Sequence, residues 1–444
     1  MRMCRVSENL LFLQPEIAEI RKNSKWNMVI ERNIHLQKLI EGKHNGMIKV
    51  VTGIRRSGKS FLLFNLFVNH LKEHGVTSNH IIEIDLEDRR NKLLREPDVL
   101  LQYIDGKMKD DNMYYILIDE IQHVPEFEDV LNSYLKVKNA DVYVTGSNSK
   151  FLSKDVITEF RGRGDEIKIG PLTFREYMSV FEGTREAAFE EYLVYGGLPK
   201  VALLGDKKNK ATYLKSLFAK VYLTDIVERY KIKNDDDLSE LIDVLASSIG
   251  GLTNPTKLEN TFATVKHSSI THQTLKSYLD ILQEVYLIEK SVRYDIKGRR
   301  YIDTPSKFYF TDLGLRNARI GFRQFEITHL MENLIYNELR ARGMEVDVGV
   351  VTQNIKDENG LSVRKQLEVD FVCNQGSKRY YIQSALRLPT EEKREQELRS
   401  LKLIDDNFQK VLITEDPISI YQDNNGVVYM NIYEFLLNEN SLSI

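Results

Sequence analysis

From Met47 onward, short apolar runs are separated by longer amphipathic stretches. The runs at 48–52, 80–86, 114–119, 141–145 and 166–169 have strand length and are dense in Ile, Val, Leu or Tyr, and helices are expected between them. Strands that are apolar on both faces, alternating with helices, predict a parallel sheet covered on two sides, an α/β architecture. After Pro171 the spacing turns helical, with Phe174, Tyr177, Met178 and Phe181, then Phe189, Tyr192, Leu193 and Tyr195, up to a break at Gly196 and Gly197. A helical lid is expected there. Further on, 238–249, 254–262 and 271–287 read as three helices, the last with Thr271 as its N-cap, and 294–310 as a hairpin around Lys297 and Gly298. That is the order of a winged helix. The remainder reads as a helix (325–342), three strands (344–351, 366–372 and 379–383), a polar helix (390–403) and a strand (410–414). The expected division is an N-terminal extension over 1–26, a sheet-forming core over 27–174, a lid over 175–234, a winged helix over 235–321 and a C-terminal α/β domain over 322–444.

Composition narrows the classes. A chain of 444 residues, 42% of them hydrophobic, supplies cores for two to four units. A formal net charge of -3 argues against a surface coated for nucleic acid, so any DNA contact has to be local. The only cysteines, Cys4 and Cys373, suggest neither a disulfide framework nor a Cys-based metal site. No HExxH spacing occurs among the histidines, and no zinc is expected. No signal peptide is legible, and no apolar run approaches the roughly 20 residues of a membrane span. A cytoplasmic protein without a membrane partner is expected.

One strand-to-helix junction carries recognisable chemistry. The run 48–52 leads into Gly53, Ile54, Arg55, Arg56, Ser57, Gly58, Lys59 and Ser60, after which Phe61, Leu62, Leu63 and Leu66 take helical spacing. This is GxxxxGK[ST], whose glycines let successive backbone N–H groups face inward as an anion nest at a helix start. The pattern predicts a nucleoside triphosphate held by residues 53–61, with Lys59 on the β- and γ-phosphates and the Ser60 hydroxyl on Mg2+. A second apolar strand ends in Asp119 and Glu120. Asp119 suits the metal's water shell, and Glu120 can polarise the attacking water as the catalytic base. After 141–145, Ser147 and Asn148 are candidate γ-phosphate contacts. Arg161 and Arg163 are candidate catalytic arginines, acting within one subunit or on a neighbour, which leaves a homo-oligomer open.

Taken in order, GIRRSGKS, LIDEIQ, VTGSNS, FRGRG and IGPLTFREY resemble a family of predicted prokaryotic ATPases of the AAA+-like group, over nearly the whole chain. The resemblance implies a P-loop NTPase core of the additional-strand type, ATP as the nucleotide, and a C-terminal domain of uncharacterised function. It names no substrate.

On the expected winged helix, His272, Gln273, Lys276 and Ser277, with Arg293, Lys297, Arg299 and Arg300 on the hairpin, would reach DNA. The acidic run 235–237 beside it weakens that attraction. The C-terminal element order resembles the restriction-endonuclease-like fold. In that resemblance Glu332 matches the helix carboxylate and Asp370 the strand carboxylate, but the third element reads Gln383, Ser384, Ala385, with alanine where active members carry lysine. A catalytically degenerate domain is expected. The whole reads as an ATPase coupling hydrolysis to movement of the winged helix and the C-terminal module, with an unnamed protein partner. The alternatives are a nucleotide-gated DNA-binding or protein-interaction module with negligible hydrolysis, and an ATP-dependent nuclease, which Ala385 disfavours.

Overall fold

A computed structural model describes residues 28–146, 162–266, 270–356 and 362–443. The expected extension over 1–26 lies outside them.

Five parallel strands form the first sheet: β1 (Ile48–Gly53), β2 (Ile81–Asp85), β3 (Tyr114–Asp119), β4 (Ala140–Thr145) and β5 (Gly164–Ile169), in the order β2-β3-β4-β1-β5. Each coincides with an apolar run of the sequence; the inner strands β1, β3 and β4 are covered on both faces, whereas the edge strands β2 and β5 leave Glu83 and Glu166 exposed. On one face Val51, Leu117 and Tyr143 pack against Leu39, Leu62, Leu63 and Phe67 of the helices at Asn33–Glu41 and 59–73. On the other, Val50, Ile116 and Val144 meet Leu100, Ile104, Val130 and Leu131 of Pro97–Lys107 and Phe127–Tyr134. Each fully buried Leu or Val contributes about 1.5–3 kcal/mol, which fixes the strands' register against both layers. The one charge inside β1, Lys49, is wholly buried and matched by Asp141 of β4 and the Met47 carbonyl. Because the strands are parallel, their carboxyl ends share one edge. β4 lies between β1 and β3, so Gly53, Thr145 and Asp119 finish on that edge together.

Residues 174–230 are helical, as Phe174–Met178, Arg185–Tyr195, Pro199–Leu203, Lys207–Leu217, Phe218–Leu223 and Thr224–Tyr230. They do not form a detached flap. Leu214, Leu217, Phe218 and Tyr222 share one apolar core with Ile54 of the loop after β1 and with Leu238, Leu245, Leu275 and Leu282 of the helices Asp235–Ser247 and His272–Glu284. The expected boundary at 234/235 therefore runs through a continuous core. The first lid helices pack Phe174, Tyr177, Phe189 and Tyr192 against Leu330, Leu334 and Phe435 of the C-terminal part.

The second sheet is mixed: β6 (Ile288–Asp295), β7 (Arg300–Phe310), β8 (Glu345–Lys356), β9 (Ser362–Gln375), β10 (Lys378–Ala385), β11 (Gln409–Thr414), β12 (Tyr421–Gln422) and β13 (Val427–Asn431), in the order β12-β13-β11-β10-β9-β8-β6-β7. The hairpin β6–β7, expected as a wing, is built into this sheet. β6 pairs in parallel with β8, from Arg293 opposite Val348 to Asp295 opposite Val350, so chain on both sides of 322 contributes to one structure. An edge of unpaired backbone groups is thereby covered. The helix Ile327–Ala341, strands β8 to β10, helix Glu391–Lys402 and β11 follow in the order read from the sequence; β12, β13 and the helix Ile432–Leu437 were not anticipated. No helix of the described residues is long and apolar enough to cross a membrane.

Candidate functional site

The loop after β1 turns at Gly53 and Gly58, with φ of +133° and +96°. At Gly53 the need is also steric: a Cβ there would stand 2.0 Å from the Ile169 carbonyl oxygen of β5, so only glycine lets the strand end run this close. The next helix starts at Lys59, whose buried ammonium folds back on the loop, donating to Gly53 O at 3.0 Å and Ile54 O at 3.2 Å. Burial lowers its pKa to about 8, against the raising influence of Glu120 and Asp119. Its ammonium is thus hydrogen-bonded to neutral carbonyls, while the two carboxylates act on it through space without a direct ion pair among the described residues. The Ser57 hydroxyl is also buried, with no partner among the described residues.

Across the edge stand the two acids. Asp119 is buried, and its carboxylate accepts hydrogen bonds from Thr145 of β4 and from Ser60. Burial raises its pKa, and those two bonds oppose the rise. Glu120 takes a left-handed conformation, φ +51°; its N–H donates to Thr145 Oγ1 at 3.0 Å and its carboxylate accepts from Gln122. Thr145 thus tethers both acidic residues. A cavity of about 660 Å³ opens here, lined by Lys59, Ser60 and Glu120 from the first sheet's edge and by Lys200, Tyr213 and Arg229 from the helices Pro199–Leu203, Lys207–Leu217 and Thr224–Tyr230. That volume lies within the range of about 300–1,000 Å³ usual for small-ligand sites. The donor set fits a magnesium triphosphate: a glycine-turned loop at a helix start, an ammonium bonded to carbonyls alone among the described residues, and a hydroxyl beside a carboxylate, which suits a cation held mostly by water and phosphate. Ser60 and Asp119 would hold the metal.

Not every expected residue reaches this place by its side chain. Ile54 points into the lid core and can offer only its backbone. Arg55 pairs with Asp225 at 3.1 Å, and its carbonyl accepts from Tyr222 Oη at 2.8 Å, so the loop is fastened to the lid. Arg56 and Phe61 line the cavity. Arg163 does not come near within its own subunit. Its carbonyl accepts from Ile48 N at 2.9 Å, at the amino edge of the sheet, and about 17 Å of strand separate that edge from Gly53. Arg161, Ser147 and Asn148 lie outside the described residues. Two arginines that no motif marked, Arg95 and Arg229, do line the cavity, and Thr145 was legible only as a strand end. Their positions depend on packing between distant segments.

A second cluster joins the C-terminal residues. Lys307 of β7 donates to Glu332 Oε1 at 2.8 Å and lies 2.6 Å from Glu368 Oε1, while Tyr309 Oη donates to Glu332 Oε1 at 2.8 Å. Asp370 accepts from Ser384 N at 2.8 Å, and its own N–H donates to Gln383 Oε1 at 3.4 Å. Burial and the neighbouring Glu332 push Asp370 up to about 8. Burial opposes the charge of Glu332, but Lys307 holds its pKa below the ordinary value. An ammonium that no motif marked, that of Lys307 on β7, therefore stands among these carboxylates. The second half of the expected wing hairpin thus carries Lys307 and Tyr309 inward to these carboxylates, while Tyr301 nearer the turn stays exposed. Lys297 and Arg300, expected to reach DNA, lie 3.9 Å from Asp405 and 3.7 Å from Asp295. On the helix His272–Glu284, His272, Gln273, Lys276 and Ser277 are exposed.

Residues 45–178 match the family described as AAA domain, and residues 186–326 one described as Domain of unknown function (DUF8612). An uncharacterized protein of Haemophilus influenzae is 34% identical over 392 residues, covering 87% of this chain and 93% of that protein. An uncharacterized protein of Methanocaldococcus jannaschii is 29% identical over 429 residues, or 89% of each chain. Among solved structures, the Walker-type ATPase of Pyrococcus abyssi superposes with a TM-score of 0.47 at 16% identity, covering 66% of this chain and 96% of that one, an overlap too loose to carry an argument. The AAA-domain match contains the loop after β1, Asp119, Glu120 and Thr145. With a relative 34% identical and matched along 93% of its length, the chain belongs to the family of the Haemophilus influenzae protein, and it carries an AAA domain.

Proposed function

We propose that this protein binds Mg-ATP between the loop 53–60 and the lid, hydrolyses it, and uses nucleotide occupancy to reset the helices that follow. The observation that supports this most is the meeting, at one sheet edge, of the buried Lys59 ammonium with the linked set Ser60, Asp119, Thr145 and Glu120. On this reading the loop amides and Lys59 bind the β- and γ-phosphates, and Glu120 orients a water and takes its proton. Bound Mg2+, held through Ser60 and Asp119, supplies charge neutralisation at the phosphate oxygens. Lys200, Tyr213 and Arg229 close the cavity from the lid. Ser147 and Asn148 remain candidate γ-phosphate contacts, and Arg161 a candidate arginine; Arg163 would serve only a second copy of the chain.

Coupling has a physical route. Tyr222 and Asp225 hold the loop through Arg55, and their helices share a core with 235–284, so a loop filled by phosphate alters contacts that reach beyond the lid. The core would then be 27–174 and the lid 175–234, with 235–321 and 322–444 as responding modules. We assign the C-terminal module an interaction role, since its carboxylates are engaged by Lys307. Lys59→Ala should abolish Mg-ATP binding in calorimetry. Glu120→Gln should keep binding and lose at least about 100-fold in phosphate release, the usual scale for a missing general base. Turnover equal to wild type in both variants refutes the assignment.

A further inference from the structure

Arg32 stands ahead of the AAA-domain match, which begins at residue 45, and belongs to no motif. The residue is nevertheless only 4% exposed, and its guanidinium spans three separate segments. Nη1 donates to Ser57 O at 3.0 Å, Nη2 to Gly170 O at 3.0 Å, and Nε to Glu176 Oε1 at 3.0 Å. These acceptors lie in the nucleotide loop, in the turn after β5 and in the first lid helix. Burial lowers the pKa of Arg32, Glu176 opposes that, and a guanidinium keeps its charge in either case. Its donors form a rigid fork, so three acceptors held at once fix three backbones relative to one another.

The bond to Ser57 has a directional consequence. In a trans peptide the C=O and the following N–H point oppositely in one plane. Arg32 does not line the nucleotide cavity, so it holds the Ser57 carbonyl from behind the loop. The Gly58 N–H is thereby turned to the other side, where the nest receives phosphate oxygens. Gly58, at φ +96°, has the conformational freedom to let that peptide flip if nothing held it.

We propose that Arg32 is a positioning residue of the nucleotide site: it keeps the Gly58 amide aimed at the phosphates, while its pair with Glu176 serves only to hold the fold together. The proposal rests on the ATP reading above. It is tested on the full chain, with Mg-ATP affinity measured by calorimetry and folding by thermal melting. Arg32→Gln should weaken Mg-ATP binding about 10-fold, the scale of one lost charge-assisted hydrogen bond. Glu176→Gln removes the charge pair but leaves the Ser57 bond, and should lower the melting temperature with affinity kept within about 2-fold. Arg32→Lys, whose ammonium can still reach one carbonyl, should recover part of the affinity that Arg32→Gln loses. Should Arg32→Gln fail to fold, weaker binding by Arg32→Lys than by Glu176→Gln at a comparable melting temperature supports the proposal, and the reverse order overturns it. Wild-type affinity in Arg32→Gln overturns it while leaving the ATP reading intact. Equal losses in Arg32→Gln and Glu176→Gln overturn it too, because general loosening then explains both. If the wild-type protein takes up no Mg-ATP, the reading of the site falls and takes this inference with it.

Discussion

Lys59 is asked to be buried and charged at once. Burial brings it to about 8, so near pH 9 most of the free protein lacks the ammonium that a phosphate needs. Bound phosphate restores the charge. ATP association should therefore take up protons above about pH 8 and weaken by up to about tenfold per pH unit from there. Calorimetry at alkaline pH in two buffers of different ionisation heat measures that uptake; affinity that stays flat through this range speaks against Lys59 as the phosphate contact. The sign for stability is the reverse. An unfolded lysine keeps its proton up to its ordinary value of 10.5, so between about 8 and 10.5 the unfolded state binds more protons, and this group makes the free fold more stable as pH rises. Lys59, Ser60, Asp119 and Glu120 were legible in the sequence because their roles are set by spacing along a strand, a turn and a helix start. Arg95, Arg229 and Thr145 were not, since what places each beside the phosphate edge is a neighbour far away in the chain.

Among elements, the short helix Leu313–Arg319 shows how a local signal acquires a distant purpose. Asp312 caps it, accepting from Leu315 N at 2.9 Å, and also accepts from Gly197 N at 2.8 Å in the turn that leads to Pro199 and Lys200. The fit leaves no spare room: a Cβ on Gly196 would stand 2.4 Å from the Asp312 carboxylate. Burial pushes Asp312 up to about 6, with four backbone amides opposing the rise. Since the folded value lies above the ordinary 3.8, the fold favours the protonated acid, and this contribution to stability fades as pH climbs through about 6. Asp312→Ala should cost about 2 kcal/mol, because a cap and a second buried acceptor go together. A urea midpoint unchanged from wild type contradicts it. Thr271, read as an N-cap from sequence, does accept from Thr274 N at 3.2 Å, as short-range signals usually allow. The hairpin β6–β7 is a different case. The hairpin was legible, but its pairing with β8 was not, because alternation marks a strand and does not say which edge it joins.

For the whole molecule, Glu289 is the joint between the two sheets. It lies 2.6 Å from Lys168 of β5 and 3.1 Å from Arg340 of the helix Ile327–Ala341, and accepts from Tyr336 Oη at 3.3 Å. Burial alone would raise its pKa, but Lys168 and Arg340 outweigh burial and hold it below the ordinary carboxylate value. Its stabilising effect is then present above the unfolded value of 4.5 and lost as pH falls through the folded one. Glu289→Gln removes the anion that Lys168 and Arg340 share, leaving Arg340 paired with Glu345, and should cost about 3 kcal/mol at neutral pH. Denaturant unfolding checks this, and the deficit should shrink on acidification; a deficit independent of pH would show that the charge is not what holds the joint.

The sequence by itself determined the kinds of elements, the strands buried on both faces, the phosphate-binding loop and the carboxylates after β3, because periodicity and covalent spacing act over a few residues. It also fixed that position 385 lacks a lysine. Tertiary structure alone decided that β4 stands between β1 and β3, that the lid shares its core with the next helices, and that β6 extends the second sheet. It likewise decided that Lys307 meets the C-terminal carboxylates and that Arg32 reaches Ser57. A hydrophobic pattern states which face of an element must be covered, but what covers it is settled only when segments a hundred residues apart compete for the same surface.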